Sequence, residues 1–489
     1  MMANGMGGAA RDLARSTARL SWALSLFGLQ QMADLASGSR DPERGAARCD
    51  AVRYAAEGQM NATFRGLLHA GDNLQRGVVD LLAGVGSRTE SAVVQAAGQL
   101  LTPDLLDPRT WATMGVDMVQ RSAEGLRLLL SGTGAVAALR EVQNKAEVYV
   151  LVRQVARLLG IPEGEFPLPL FALLARAYAL GPFPALWAIE GLGHDYARSY
   201  QEAGIVPRDL LTAGRNEELP SASLLMLNAG IGLAFAEWEL KGVNACTPYP
   251  EVRRTVAGIV ALCRANARPG YLGAAYESLG LVTRLFHGAS LPPLVDRALR
   301  EVAPEVVGFF WHGVGRAIYF APANFLPGST WQVFEMARRE APDESARLNA
   351  VAGAAWAVTL VNQRQPEIVA ELLIRPHGEE LRRDGAFSNG LTSGTIMRTD
   401  TTPEAGFVES FLAYRPTDPQ VVRLWDELVR IPGEEGLRIY YPILQAENRL
   451  GDLFHYGDLA RLAAELSADR AREPLGRPPE EVGEAAGAP

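Results

Sequence analysis

Along the first part of the chain, apolar and small residues alternate at spacings of four and three. Met60, Phe64, Leu67, Gly71, Leu74, Val78 and Leu81 form one such series, and Leu13, Thr17, Leu20, Leu24 and Phe27 form another. That spacing keeps a single apolar stripe on a helix and predicts amphipathic helices that associate as a bundle or coiled coil. Asp107-Pro108 opens a third helix through Trp111, and a fourth runs from about Ala135 to Leu159. Gly160-Ile161-Pro162 stops it, because Gly and Pro past a helix end disfavour continuation. Residues 1–160 are therefore read as an amphipathic helical or coiled-coil region.

From 165 to 460 the pattern changes. Apolar stretches carrying a pair of small residues recur: Ile189-Glu190-Gly191-Leu192-Gly193-His194, Asn228-Ala229-Gly230-Ile231-Gly232-Leu233 and Tyr276-Glu277-Ser278-Leu279-Gly280-Leu281. Trp311-His312-Gly313-Val314-Gly315-Arg316, Val351-Ala352-Gly353-Ala354-Ala355-Trp356 and Ser388-Asn389-Gly390-Leu391-Thr392-Ser393 continue the series. The first small residues, at 191, 230, 278, 313, 353 and 390, are separated by 39, 48, 35, 40 and 37. A period near 40 is that of a helical hairpin. Polar amphipathic stretches between the motifs, such as Glu251 to Ala267, Pro292 to Val302 and Thr330 to Glu340, supply an outer helix for each inner one. Glycine in a helix interior costs roughly 1 kcal/mol, so a recurring pair at i and i+2 predicts close neighbours on both flanks. The expected fold is all-α, with the N-terminal bundle followed by a helical-hairpin solenoid or toroid.

Charge and apolar runs refine this picture. A largely apolar stretch, Leu20 to Leu35, follows Arg11, Arg15 and Arg19, but Ser21, Ser25, Gln30, Gln31 and Asp34 interrupt it and no clean cleavage site follows, unlike a signal peptide. The run Ser221 to Ala236 is shorter than a span and contains Asn228, and Phe166 to Ile189 contains Arg176 and four prolines. Both are read as buried helices. The expected location is cytoplasmic, with peripheral contact to a membrane or lipid surface left open. From about Ser467, Arg472, Glu473, Pro474, Pro478 and Pro479 lead into a Gly/Ala/Glu ending, the composition of a disordered tail (467–489).

The chain has 489 residues, 48% of them hydrophobic, and a net charge of −9. That is material for a large core and argues against nucleic acid as a partner, which requires a basic face. Cys49, Cys246 and Cys263 are too few and too scattered for a disulfide framework or cysteine-rich zinc site, which favours a reducing compartment. None of the Gly-x-Gly strings has the third glycine or the preceding strand of a dinucleotide loop. The phosphate-binding lysine loop, HExxH, CxxC and Gly-x-Ser-x-Gly are all absent from the sequence, so no cofactor is implied.

Candidate chemistry comes from position within the motifs. The residue before each small position and the one four later share a helix face. These pairs are Glu190/His194, Ala229/Leu233, Glu277/Leu281, His312/Arg316, Ala352/Trp356 and Asn389/Ser393. Glu190, His194, Glu277, His312 and Arg316, with Asn389, are thus candidates to converge on one concave surface. Buried ionisable groups are expensive unless paired. One reading is a polar pocket with Glu or His as acid–base groups. The other is structural pairing, for example Glu190 with His194 and Glu277 with Arg316. Glu190, His194, Glu277 and His312 are tolerable metal ligands, but their spacing is not diagnostic and no metal is assigned. His287 and His455 read as helix-terminal histidines, His69 as lying on the heptad helix, and Trp311, Tyr319 and Phe320 as core aromatics. Tyr440-Tyr441-Pro442 reads as a local packing or turn element.

Two resemblances add context. The N-terminal segment is superficially similar to phasins, which cover lipid or polymer granules. The order of the central motifs, above all Gly313-Val314-Gly315-Arg316-Ala317-Ile318-Tyr319-Phe320, resembles a poorly characterised bacterial family associated with enediyne polyketide gene clusters. The likeness covers about residues 165–400 and departs from the family by the N-terminal extension. It implies a pathway context rather than a reaction, and no residue's role is carried over from it. The sequence thus supports two expectations. One is an accessory protein or enzyme of natural-product biosynthesis whose pocket holds an apolar, polyene-like intermediate. The other is a noncatalytic helical-repeat scaffold, joined through its N-terminal helices to itself, to a partner protein or to a lipid surface.

Overall fold

A computed structural model of the chain describes residues 133–465, apart from 322, 323, 325–329, 375, 376, 458, 460, 462 and 463. The heptad series, the Trp111 helix, His69, Cys49 and the tail from Ser467 lie outside the described residues. Among the described residues every regular element is a helix. Helix α1 spans Thr133–Arg153, α2 Leu170–Ala179, α3 Pro182–Glu202, α4 Ser221–Glu239, α5 Tyr249–Asn266 and α6 Leu272–His287. They are followed by α7 Pro292–Val302, α8 Val307–Phe320, α9 Thr330–Glu340, α10 Glu344–Asn362, α11 Pro366–Leu372 and α12 Ala386–Thr401.

Local chemistry sets these limits. Proline stands in the first turn of α3, α5, α7 and α11, where its missing N–H is not needed. The Asp343 carboxylate accepts from the Ala346 amide at 2.9 Å and caps α10, as an N-cap aspartate does. The apolar run 166–189 is broken into the two helices α2 and α3. Gly181 sits between them with φ +97°, a conformation open to glycine, and Pro182 starts the second helix. None of the described helices is long and apolar enough to cross a membrane.

The six motifs lie on α3, α4, α6, α8, α10 and α12, and each of these helices packs on the next in that order. The small residues make the close approach. A Cβ on Gly230 would run into the Glu190 carbonyl of α3, and one on Gly232 into Ala275 of α6. Gly313 meets Glu277 of α6 while Gly315 meets Ala350 of α10, and Gly353 in turn meets His312. The first small residue thus touches the preceding motif helix and the second touches the following one. In the third motif Ser278 takes the first place, and its hydroxyl donates to the Ala229 carbonyl at 2.8 Å.

Amphipathic α5 and α7 pack outside this layer, and α9 lies on α8 and α10. The alternation is regular only in the middle of the chain. Between α3 and α4 there is just a five-residue 3₁₀ turn, Gly214–Glu218, and short helices connect α10 to α12. Helix α1 belongs to the same core, with Val148 and Leu151, and Val155 just past its end, buried beside α3. The first and last motif helices also touch. Trp187 of α3 meets Trp356 of α10 edge-on at 6.5 Å, and Arg398 of α12 donates to the Pro182 carbonyl at 3.1 Å.

Candidate functional site

Four of the motif residues converge, one from α3, one from α6 and two from α8. Glu190, Glu277 and His312 are fully buried and Arg316 is 3% exposed. Glycine at the crossings lets the backbones approach closely enough for side chains on three helices to meet. The Arg316 guanidinium donates from Nη2 to both oxygens of Glu190 at 2.5 and 2.7 Å, and from Nη1 to Glu277 Oε2 at 3.2 Å. His312 Nδ1 lies 3.4 Å from Glu277 Oε1. The guanidinium carbon stands 4.8 Å from the centre of the Trp356 ring, a cation–π contact. Arg316 Nε, His312 Nε2 and the Trp356 indole nitrogen are buried without a hydrogen-bond partner.

The electrostatics follow from burial. Loss of water pushes the Glu190 carboxyl above the ordinary glutamate value, against the pull of Arg316. Burial drives His312 below the ordinary histidine value, with Glu277 opposing, which favours the neutral imidazole. For Arg316 burial works against the charge, but the two carboxylates outweigh it and raise its pKa. The cluster holds two carboxylates against one guanidinium.

His194 and Asn389 stand apart from this cluster. His194 Nδ1 is 3.2 Å from Asp195 Oδ1 and Nε2 is 3.1 Å from Glu237 Oε2. Burial disfavours its charge, yet the two carboxylates raise its pKa. Glu237 is in turn held down at about 2: burial raises it, and His194 and Arg153 more than reverse that. Arg153 Nη1 closes the chain at 2.5 Å from Glu237 Oε1. The Asn389 amide donates instead to the Gly457 carbonyl at 2.6 Å. The expected Glu190–His194 hydrogen bond is therefore replaced by Glu190–Arg316, because Arg316 reaches Glu190 with two bonds and Glu237 offers His194 a second carboxylate.

A cleft of about 60 Å³ leads to this cluster. Glu190 and Arg316 are at its floor and Arg153 and Glu237 at its rim. Val148, Val152, Leu233, Leu281, Leu285, Phe286 and Phe320 supply apolar wall. Leu233 and Leu281 occupy the same motif position as Arg316, so the periodic pattern lines the cleft as well as the cluster. Glu237 lies one turn beyond Leu233 on the same face of α4, a signal the six-residue motif was too short to include. Arg153 lies outside the motif series and carried no signal.

Other histidines and aromatics serve packing. His287 ends α6 with Nδ1 3.0 Å from the Val243 carbonyl, and His455 stacks edge-on against Phe309. Trp311 and Tyr319 are fully buried. Cys246 is exposed and Cys263 buried, both as free thiols. Among the described residues no three His, Cys, Asp or Glu side chains are grouped to hold a metal ion. No family model, curated protein or solved structure matches the chain.

Proposed function

We propose that the protein binds the end of an elongated, largely apolar small molecule in the cleft between α1, α3, α4, α6 and α8. The observation that carries this reading is an apolar cleft floored by Glu190 and Arg316, which are 126 residues apart in sequence. Ligand sites of this kind combine apolar walls with a few placed polar groups. The volume is roughly four times what one water needs, so a short apolar terminus fits inside while the remainder of the ligand extends past the rim. The resemblance of residues 313–320 to the enediyne-associated family makes a polyene-like intermediate of natural-product biosynthesis the ligand proposed here. Whether the protein acts as accessory or enzyme turns on Glu190, the acid raised by burial at the cleft floor. The finer architecture that goes with this reading is a helical-hairpin repeat closed into a ring. It is supported by the contacts of α3 with α8, α10 and α12.

One observation favours a scaffold instead: the charges of Arg316, Glu190 and Glu277 are already paired within the cluster, with His312 beside Glu277. A scaffold joined to itself, a partner protein or a lipid surface through the N-terminal helices is the second reading. Native mass spectrometry of protein purified from its own host separates the two, followed by denaturing extraction. A stoichiometric apolar small molecule, lost in Leu281→Trp, is the result expected of a binding protein. A ligand-free oligomer from the same host would transfer the assignment to the scaffold.

A further inference from the structure

Helix α1 forms one wall of the cleft through Val148, Tyr149, Val152 and Arg153. Against α3 it makes a glycine crossing like those of the motif helices, with the Val152 carbonyl at Gly191, but its side toward α8–α11 is a polar seam. The motif helices meet backbone to backbone at glycine and alanine. The line of α1 that faces inward instead carries Glu141, Asn144 and Lys145, at 4%, 5% and 1% exposure. Lys145 Nζ donates to the Asn324 carbonyl at 2.8 Å, lies 4.0 Å from the centre of the Tyr319 ring and pairs with Glu141 at 3.4 Å. Thr330 donates to Glu141 Oε2 at 2.5 Å. The Asn144 amide donates to Asn362 at 3.0 Å and to Gln365 at 2.9 Å. At the edges Arg140 pairs with Glu367 at 2.7 Å, Glu147 with Arg364 at 2.5 Å and Arg153 with Glu237 at 2.5 Å.

We infer that α1 is a movable strap: its polar seam releases from α8–α11 to admit a ligand to the cleft, then closes again in the same register. This rests on the reading of the cleft as a ligand site. The physical reason is the alternative available to each seam group. An apolar helix face that leaves its site exposes surface to water at a cost proportional to area. A buried ion pair or amide recovers water on leaving, so it adds little net stability while fixing one geometry. Arg153 joins the strap to Glu237 at the mouth, so release of that end also opens the rim. The apolar part of the strap, Val148, Leu151 and Val152 against Gly191, brings it back.

Hydrogen–deuterium exchange on the full chain tests this. Amides of residues 137–153 should exchange at least tenfold faster than those of α3 and α10, and with no dependence on low urea, as local opening requires. Raising the salt to 0.5 M should speed α1 a further few-fold, by screening the partly exposed Arg140–Glu367 and Glu147–Arg364 pairs. The double variant Glu141→Leu with Lys145→Leu should slow α1 exchange, since water no longer compensates release. Nile red gives the link to the cleft: its binding rate should level off with dye concentration at the opening rate of α1. Exchange of α1 no faster than α3 at either salt, with Nile red bound, overturns the strap. Absence of Nile red binding with fast α1 exchange overturns the cleft reading, and with it the strap as a route for ligand, leaving only a local opening of α1.

Discussion

Arg316 is buried between two carboxylates, and its removal would leave both without a countercharge. Breaking a buried pair from one side costs about 3–5 kcal/mol, whereas replacing all its members by apolar groups is close to neutral. Arg316→Met is therefore expected to lower stability by about 3–5 kcal/mol. Adding Glu190→Leu and Glu277→Leu to it should recover most of that loss. Urea denaturation of the three proteins measures both steps, and equal midpoints for wild type and Arg316→Met would remove the cluster from any structural role.

Asp400 is the opposite case. Its Oδ1 accepts from the Tyr441 hydroxyl at 3.1 Å, its Oδ2 is buried without a hydrogen-bond partner, and burial raises the carboxyl to about 6. An acid whose pKa rises on folding from about 3.9 to about 6 stabilises the fold below pH 4 and loses that contribution as pH climbs through 6. The loss is about 2–3 kcal/mol by pH 7.5. Asp400→Asn should therefore exceed wild type by that amount at pH 7.5 and match it at pH 4, read as the difference between urea midpoints. Asp400 was invisible in the sequence, because it falls outside the motif positions and only the fold shows what surrounds it. Glu190, Glu277, His312 and Arg316 were visible because an ionisable residue on an otherwise apolar helix face stands out by composition alone. Which of them pair was not visible, since the choice between His194 and Arg316 as partner of Glu190 depends on distances across helices.

At the scale of the element, glycine has two opposite meanings, and neighbours decide between them. Gly313 stands at the α6–α8 crossing, where a Cβ would strike the Glu277 carbonyl and the Leu281 amide nitrogen. Gly258 lies within α5, where the nearest atom to an added Cβ is Glu239 Oε2 at 3.8 Å. Alanine gains about 1 kcal/mol over glycine in a free helix interior, while overpacking a tight contact costs about 1–3 kcal/mol. Gly258→Ala should thus raise stability by about 0.5–1 kcal/mol and Gly313→Ala should lower it by about 2 kcal/mol. Thermal or urea midpoints give the sign, and two shifts of the same sign would refute the crossing argument. The middle elements were readable because the outer stretches at 251–267, 292–302 and 330–340 are amphipathic and bounded by Pro or Gly. The ends were not: residues 203–220 lack that pattern and form only a 3₁₀ turn, and Gly181-Pro182 divides what hydrophobicity alone presents as one run.

In the whole molecule the decisive contact is the one between the two ends of the motif series. Arg398 of α12 is fully buried, and its guanidinium donates to Gln363 Oε1 at 3.3 Å, to the Leu360 carbonyl at 3.3 Å and to the Pro182 carbonyl at 3.1 Å. No carboxylate balances it among the described residues. Burial and the nearby charge of Arg364 pull its pKa to about 9, which still leaves it charged at neutral pH. The carbonyl of Leu360 belongs to the last turn of α10, where helix dipoles favour a cation. One side chain thus connects the start of α3 with the ends of α10 and α12, across 216 residues. Stacked helical units that touch only their neighbours can lose terminal units first, whereas units that also meet end to end share one transition. Arg398→Met keeps the length and apolar stem of the side chain but removes the donors, leaving buried carbonyls that each cost about 1–3 kcal/mol when unsatisfied. The expected result is a lower midpoint together with loss of coincidence between two probes. Tryptophan fluorescence, whose eight reporters include Trp187 packed on Trp356, should change before far-ultraviolet circular dichroism. Coincident curves with an unchanged midpoint would show that the ends meet without supporting each other, and the proposed ring closure would have to give way to an open arrangement of helices.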